Sequence, residues 1–478
     1  MIPVLLIAVP LLAAFISVIF KKIDKIVMAL AISFNIVYSI LFAVLYSGPI
    51  TYAIGGFAPP FGISLVIDGY SLVGIILLNV AFGFVVLMGS KRIGKYGVPL
   101  AISLAALNGV VLTGDLFNLF VFIEVAAIAV YIMTTQSKKL KHTFNYLIIG
   151  TLASGLLLFG VVIIYNIFGT LNIADIQGRI AESPVSLQGV MVLPLVFIFA
   201  GLSVEAKLIP FSGWVRGVLK NSNSLVGPLI LSCYAAAVLF VFGRLTGTIF
   251  VMSEGLKIAL TVVAVATLVL AEFSAYSKKN LKEVLLFSSI AQAGLAVALF
   301  LNGLTVAGVL VVVNNVVSKM ILFTLAAKIG SDTGTDKISD LKGIFSKYKL
   351  LGLGFTVAAM SLIGLPLFFG FAAKAKALVA LFGAGNWWLP AIILLVSVVE
   401  GIYMIKILTT LWNTGKEGEL PDNEGAKKFK LDGYVKVSVV ALVIGAIIVA
   451  AGIYPIINIE EFLGSDILSF LSNSMGGV

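Results

Sequence analysis

Charge is scarce in this chain, and so are the residues that build metal, redox and covalent-catalytic sites. Only 11% of its 478 residues are Asp, Glu, Lys or Arg, against roughly a quarter in soluble domains. Cys233 is the single cysteine and lies in an apolar run, which excludes a disulfide, an iron–sulfur cluster or a CxxC site within the chain. His142 is the single histidine, in the loop SKKLKH, so a histidine-rich metal site is excluded as well. No metal and no cofactor is expected. Polar stretches long enough to fold by themselves are also missing, so residues 1–478 are expected to form one membrane domain. What is abundant is apolar surface: 60% of the residues are hydrophobic, with a mean hydropathy of +1.14. A water-soluble core could not hide that much, so the solvent for most of the chain is lipid.

A membrane-crossing helix needs about 20 mostly apolar residues. The hydropathy pattern places fourteen, at 2–20, 26–47, 72–89, 97–113, 116–134, 143–168, 189–211, 223–247, 257–276, 283–302, 304–327, 350–382, 388–411 and 434–455. The first lacks a small-residue cleavage site before KKIDK and is read as a retained helix. The net charge of +10 is spread through short loops, the pattern of membrane orientation and not of a nucleic-acid surface. With the N-terminus outside, 23 of the 32 Lys and Arg fall in inner loops and three, Arg179, Arg244 and Lys257, in outer ones. That asymmetry predicts a multi-pass protein of the cytoplasmic membrane with both termini outside.

Six basic residues, Lys207, Lys319, Lys374, Lys376, Lys406 and Lys436, lie inside or at the edges of the apolar runs, as do Glu124, Glu205 and Glu272. A charge at the bilayer centre costs at least about 2.5–3.5 kcal/mol, so such groups are functional candidates by default. The fifth span opens with GDLFNLFVFIE. Asp115 starts the helix, where a carboxylate suits the positive end of the dipole, and Glu124 follows about 13 Å further along. Glu124 is read as a proton or ion relay, the plainer alternative being a carboxylate paired to a lysine to hold helices together. The seventh span contains SVEAKLIPF, in which Pro210 breaks the helix and frees backbone groups. Glu205 and Lys207, two residues apart, are expected to point to different sides of that helix. A buried carboxylate needs a partner, so Lys207 or another basic group is expected beside Glu205.

The twelfth span, GLPLFFGFAAKAK, is broken by Gly364, Pro366 and Gly370 ahead of Lys374. Two broken helices five spans apart predict two five-helix repeats of inverted topology, spans 4–8 over residues 97–247 and spans 9–13 over 257–411. In the eleventh span Asn315 and Lys319 are four residues apart and share a helical face.

At these residues the chain resembles the antiporter-like subunits of Mrp-type cation/proton antiporters, respiratory complex I and membrane-bound hydrogenases. The likeness is carried by GDLFNLFVFIE with HTFNYLIIGTLAS, KLIPFSGW, NLKEVLLFSSIAQAG, and NNVVSK followed by GLPLFFGFAAK, in order across residues 110–380. The first is most similar to the D-type subunit of Mrp antiporters. The resemblance implies a membrane-embedded proton relay, with Glu124, Lys319 and Lys374 matching its key glutamate and two of its lysines. Glu205 stands where the family usually has a lysine, Ala236 where it has another, and Val311 and Asn315 where it has histidines. Glu205, Lys207, Asp115, Glu272 and Asn315 complete the candidate set, and Pro210 and Pro366 mark the breaks.

The expected function is that of a non-catalytic, ion-translocating subunit moving H⁺, with or without Na⁺, inside a multisubunit membrane complex. That complex is either redox-driven or an Mrp-type antiporter, and the expected partners are other membrane subunits. Two alternatives stand beside it, a structural subunit with a degraded proton path and a stand-alone transporter of an organic solute.

Overall fold

The computed structural model describes residues 2–89, 93–135, 140–182, 184–223, 225–413 and 434–457. The segment 414–433, expected on the inner side, lies outside the described residues, as do basic positions within two other inner loops, at 91–92 and 138–139. The chain folds as helices α1 (Leu5–Ile19), α2 (Asp24–Val44), α3 (Gly69–Met88), α4 (Ile93–Leu112), α5 (Leu116–Thr135), α6 (Leu140–Phe168), α7 (Ile173–Glu182), α8 (Pro184–Glu205), α9 (Gly213–Asn221) and α10 (Val226–Pro228). It continues with α11 (Ala235–Thr248), α12 (Glu254–Ser277), α13 (Leu281–Leu301), α14 (Thr305–Thr333), α15 (Ile344–Lys347), α16 (Lys349–Ile363), α17 (Phe369–Gly383), α18 (Trp388–Trp412) and α19 (Tyr434–Ile457). One π-helical stretch, Leu229–Tyr234, joins α10 to α11.

Among the described residues, eleven of these helical segments are long and apolar enough to cross a membrane. The chain is therefore an α-helical membrane protein. It carries one small exception that the hydropathy pattern does not mark, an antiparallel hairpin of β1 (Ile50–Ala53) and β2 (Ser64–Ile67). Its base is fixed by Asp68, which caps α3 through the Ser71 N–H at 2.7 Å and takes two 3.0 Å hydrogen bonds from the Arg244 guanidinium.

In lipid, helices associate through close backbone approach and interhelical hydrogen bonds. Both occur here. A Cβ on Gly201 would meet the Ala153 carbonyl oxygen at 2.7 Å, and one on Gly294 would meet that of Ala264 at the same distance. Only glycine lets α8 lie this close to α6, and α13 to α12. Near the N-terminus the Asn79 amide donates to Ser39 Oγ and Asn108 Oδ1, and the Asn35 amide donates to the Leu6 carbonyl. A buried amide network thus pins α1 to α4 together.

Candidate functional site

The first break forms because Pro210 cannot continue a helix and disfavours helical geometry at the residue before it. The hydropathy pattern runs the seventh span on to residue 211. Instead α8 ends at Glu205, and Lys207 adopts φ 65, a left-handed conformation that costs a side-chain-bearing residue about 1–3 kcal/mol. The groups freed there find partners distant in sequence. The Ile209 N–H donates to Thr267 Oγ1 at 3.1 Å, and the Trp214 indole donates to the Val204 carbonyl at 3.2 Å.

This geometry corrects the expectation for Glu205 and Lys207. They do not occupy two faces of one helix, because Lys207 lies beyond the helix end. Neither do they form an ion pair: Glu205 has no basic group within 4.0 Å among the described residues. The Glu205 carboxylate is held by a phenol instead, accepting from the Tyr234 hydroxyl at 2.8 Å. Tyr234 ends the π-helical stretch, a local widening of the helix that recurs at functional sites. Tyr146 stacks on Trp214 with ring centroids 3.7 Å apart and meets Tyr131 edge-on at 4.7 Å. Together these rings wall the carboxylate off. The Lys207 ammonium turns the other way and donates to Ser289 Oγ at 3.5 Å.

The second break lies between α16 and α17. Gly364 caps α16 at φ 83, and Gly370 packs so closely on the Ser361 carbonyl that any Cβ would collide with it. Asn314 of α14 holds this turn: it accepts from the Ser361 hydroxyl at 2.6 Å and donates to the Ser361 carbonyl at 3.3 Å. The break leaves the Ile363 carbonyl free, and the Lys374 ammonium donates to it at 2.9 Å. The same ammonium donates to Glu400 Oε2 at 2.9 Å, forming a buried ion pair.

Glu400, on α18, is the hub of the site. Besides Lys374 it accepts from the Gln292 amide at 3.2 Å and from the Ser288 hydroxyl at 3.3 Å. Ser288 also accepts a 2.6 Å hydrogen bond from Lys319, which further donates to the Leu285 carbonyl at 3.3 Å. One hydroxyl therefore bridges Lys319 to the Lys374–Glu400 pair, while the next residue, Ser289, receives Lys207. Glu272 lies beside this group, accepting from the Tyr403 hydroxyl at 2.7 Å, with its other oxygen, Oε1, buried and unpartnered among the described residues. Lys319 and Glu272 have 0% exposed surface, and Lys207 and Glu400 have 1% each.

The remaining sequence candidates divide. Asp115 caps α5, accepting from the Asn118 N–H at 2.8 Å. Burial raises its carboxyl pKa, opposed by hydrogen bonds from the Asn118 and Phe117 backbone. Asn315 does not join Lys319: its Oδ1 is buried without a partner among the described residues. Glu124 is half-buried on α5 and shares its face with the exposed Phe117, Val121 and Ile128 at positions −7, −3 and +4. Tyr131 lies within electrostatic reach of both Glu124 and Glu205. Lys319, Lys374 and Glu272 are thus gathered around Glu400 and Ser288, Lys207 reaches the adjacent Ser289, Glu205 sits behind a phenol, and Glu124 stands at the flank.

Sequence reasoning passes over Glu400, although an ionisable residue inside WLPAIILLVSVVEGIYMIK carries the same signal as the others. Tyr234, Ser288, Ser289, Gln292 and Asn314 give no such signal. Neutral polar residues are ordinary in membrane helices, and their roles arise from contacts across tens of residues.

Residues 113–400 match the family described as NADH:quinone oxidoreductase/Mrp antiporter, TM. The N-type subunit of the NADH-quinone oxidoreductase of Desulforudis audaxviator is 29% identical over 95% of each chain. The D-type subunit of the Na(+)/H(+) antiporter of Alkalihalophilus pseudofirmus is 28% identical over 97% of each. A chain in the structure of the membrane-bound sulfane sulfur reductase, an archaeal respiratory membrane complex, superposes with a TM-score of 0.87 at 27% identity, covering 99% of this chain and 97% of that one. A chain of the Mrp complex from Dietzia sp. DQ12-45-1b shares the fold at a TM-score of 0.83 and 22% identity, covering 99% and 96%. This chain belongs to the NADH:quinone oxidoreductase/Mrp antiporter membrane family.

Proposed function

We propose that this chain is an ion-translocating, antiporter-like subunit of a multisubunit membrane complex, passing protons along Glu124, Glu205, Lys207, Lys319 and Lys374–Glu400. The observation that carries this reading is the buried link from Lys319 through Ser288 to Glu400 and Lys374. Burying this many ionisable groups in lipid is costly, and a purely structural role needs only one satisfied pair. Hydrogen-bonded hydroxyls between amines and carboxylates, with freed backbone at both broken helices, are what a proton path requires. The names of the relatives, antiporter subunits and respiratory-complex subunits, agree in kind with this role.

Glu124 supports a neighbouring subunit. A carboxylate on an exposed apolar face costs less when another protein covers that face, so α5 is where the proton path would meet its partner. Glu124→Gln is expected to leave the complex assembled and bring proton flux in vesicles close to background. Unchanged flux would remove Glu124 from the path.

The topology belongs to the same proposal. Fourteen spans result if the eleven long segments are joined by the shorter or broken α1, α16–α17 and α19. The breaks after Glu205 and after Ile363 would then occupy equivalent places in two inverted repeats, residues 97–247 and 257–411. The Lys/Arg asymmetry puts both termini outside and residues 328–349 inside. A cysteine at exposed Lys337 should be labelled by an impermeant reagent in inverted vesicles and protected in intact cells. The opposite pattern would reverse the orientation.

One observation favours a second reading, a structural subunit. Glu205 has no cationic partner among the described residues and is capped by Tyr234, which would interrupt conduction between Glu124 and Lys207. Flux measurements on Glu124→Gln and Lys374→Arg separate the two.

A further inference from the structure

The relay proposed above ends at Lys374 and leaves a second lysine of the same helix unused. Lys376 follows two places along α17, about 200° round the helix, so its side chain leads away from Glu400. It is half-buried and lines a cleft of about 560 Å³, together with Gln177 of α7, Thr246 of α11, Thr305 and Val306 of α14, and Ala380 of its own helix. That volume is far larger than a water or a bare ion needs and falls in the range of sites for small organic groups, about 300–1,000 Å³. No acidic side chain and no aromatic ring lines the cleft among the described residues.

The helix itself sets the depth of this cleft. α17 ends at Gly383, and exposed Phe382, Trp387 and Trp388 gather there, Phe382 meeting Trp387 edge-on at 5.3 Å. Exposed aromatics of this kind mark the level of the lipid headgroups. Lys376 lies about 9 Å short of Phe382 along the helix, on the apolar side, with the exposed Val379 between them. A lysine at that depth is costly unless its ammonium snorkels to water or an anion comes down to meet it.

We propose that this cleft holds the headgroup of one anionic phospholipid, with Lys376 as the charged ligand of its phosphate. Basic pockets between membrane helices recognise such headgroups. The ammonium carries three donors, and the Gln177 amide and Thr305 hydroxyl add neutral ones for phosphate and glycerol oxygens. The Thr246 hydroxyl donates to the Phe242 carbonyl at 2.8 Å, which leaves it as an acceptor for a headgroup hydroxyl. Val306 and Ala380 give the cleft an apolar side for the glycerol and the start of the acyl chains. A choline or ethanolamine headgroup would bring a second ammonium beside Lys376, with no carboxylate or ring to receive it. The headgroup is therefore one whose only charge is its phosphate.

The test is thermal unfolding of the purified, assembled complex, stripped of lipid in detergent and titrated with phosphatidylglycerol, phosphatidylcholine or inorganic phosphate. Phosphatidylglycerol is expected to raise Tm by about 2 °C or more at saturation, and more than either of the others. An equal rise with phosphatidylcholine overturns the anionic headgroup, and an equal rise with inorganic phosphate shows a free-anion site and overturns the lipid. In Lys376→Ala the half-maximal phosphatidylglycerol concentration should increase by at least about tenfold, the scale of one lost charge-assisted hydrogen bond. An unchanged concentration means that Lys376 snorkels to water, and overturns the site. If Lys376→Ala does not assemble, Ala380→Leu decides, because it fills the cleft and leaves the charge in place. The same loss is expected there, and a wild-type response overturns the site. No flux enters these measurements, so their failure leaves the proton relay standing.

Discussion

Lys374→Arg is expected to leave the complex assembled and to reduce ion transport by at least about 10²-fold, the scale of a lost proton-transferring group. The ammonium is held between the Ile363 carbonyl and Glu400, both at 2.9 Å. A guanidinium keeps the positive charge and has donors for both acceptors, so the buried pair survives. What it cannot do inside a protein is give up its proton. A lysine amine can exchange its proton, as a guanidinium does not. The substitution thus separates charge from proton exchange. Lys374→Ala makes the useful contrast: transport is lost there too, but the complex also weakens, because Glu400 is left buried with no counter-charge. Proton flux in vesicles, together with size-exclusion profiles of the two variants, measures both effects. Normal flux in Lys374→Arg would mean that this lysine carries no proton and would favour the structural-subunit reading.

Much of this architecture is legible in the sequence because it depends on local properties. Apolar run length sets the spans, and the Gly and Pro residues around Pro210 and Pro366 mark both breaks. The finer geometry depends on distant partners and is not legible. SVEAKLIPF reads as helix up to its proline. The helix stops at Glu205 because Thr267 and Trp214, 58 and 10 residues from their backbone partners, take up the freed groups. Once Lys207 turns left-handed, its ammonium reaches Ser289 across 82 residues, and the expected pairing with Glu205 is lost. Tyr234 caps that carboxylate from a π-helical stretch that composition does not reveal. The hairpin Ile50–Ile67 carries no alternation strong enough to announce strands. Glu400 is a different case. Its signal is present in an apolar run, but it lies beyond the motifs across residues 110–380 on which the resemblance rests.

Glu400→Ala is expected to abolish transport and to destabilise the complex by about 3–5 kcal/mol, the cost of stripping one partner from a buried ion pair. Three donors converge on this carboxylate, the Lys374 ammonium, the Gln292 amide and the Ser288 hydroxyl, and all of them would lose their acceptor together. The Lys374 charge would then stand against the Ile363 carbonyl alone. Glu400→Gln divides the effect. The glutamine keeps the shape and one acceptor oxygen, so packing and the Ser288 contact can persist. It provides no negative charge for Lys374, and no carboxylate through which Lys319, by way of Ser288, exchanges a proton with Lys374. Its stability should therefore fall between wild type and alanine, while its flux falls to the alanine level. Thermal unfolding and vesicle flux measured on the same preparations decide the matter. If Glu400→Gln transports at the wild-type rate while losing stability, Glu400 is an anchor for Lys374 and the proton leaves Lys319 by another route. If flux falls and stability does not, the pair contributes little to the fold, and the reason to bury it is conduction.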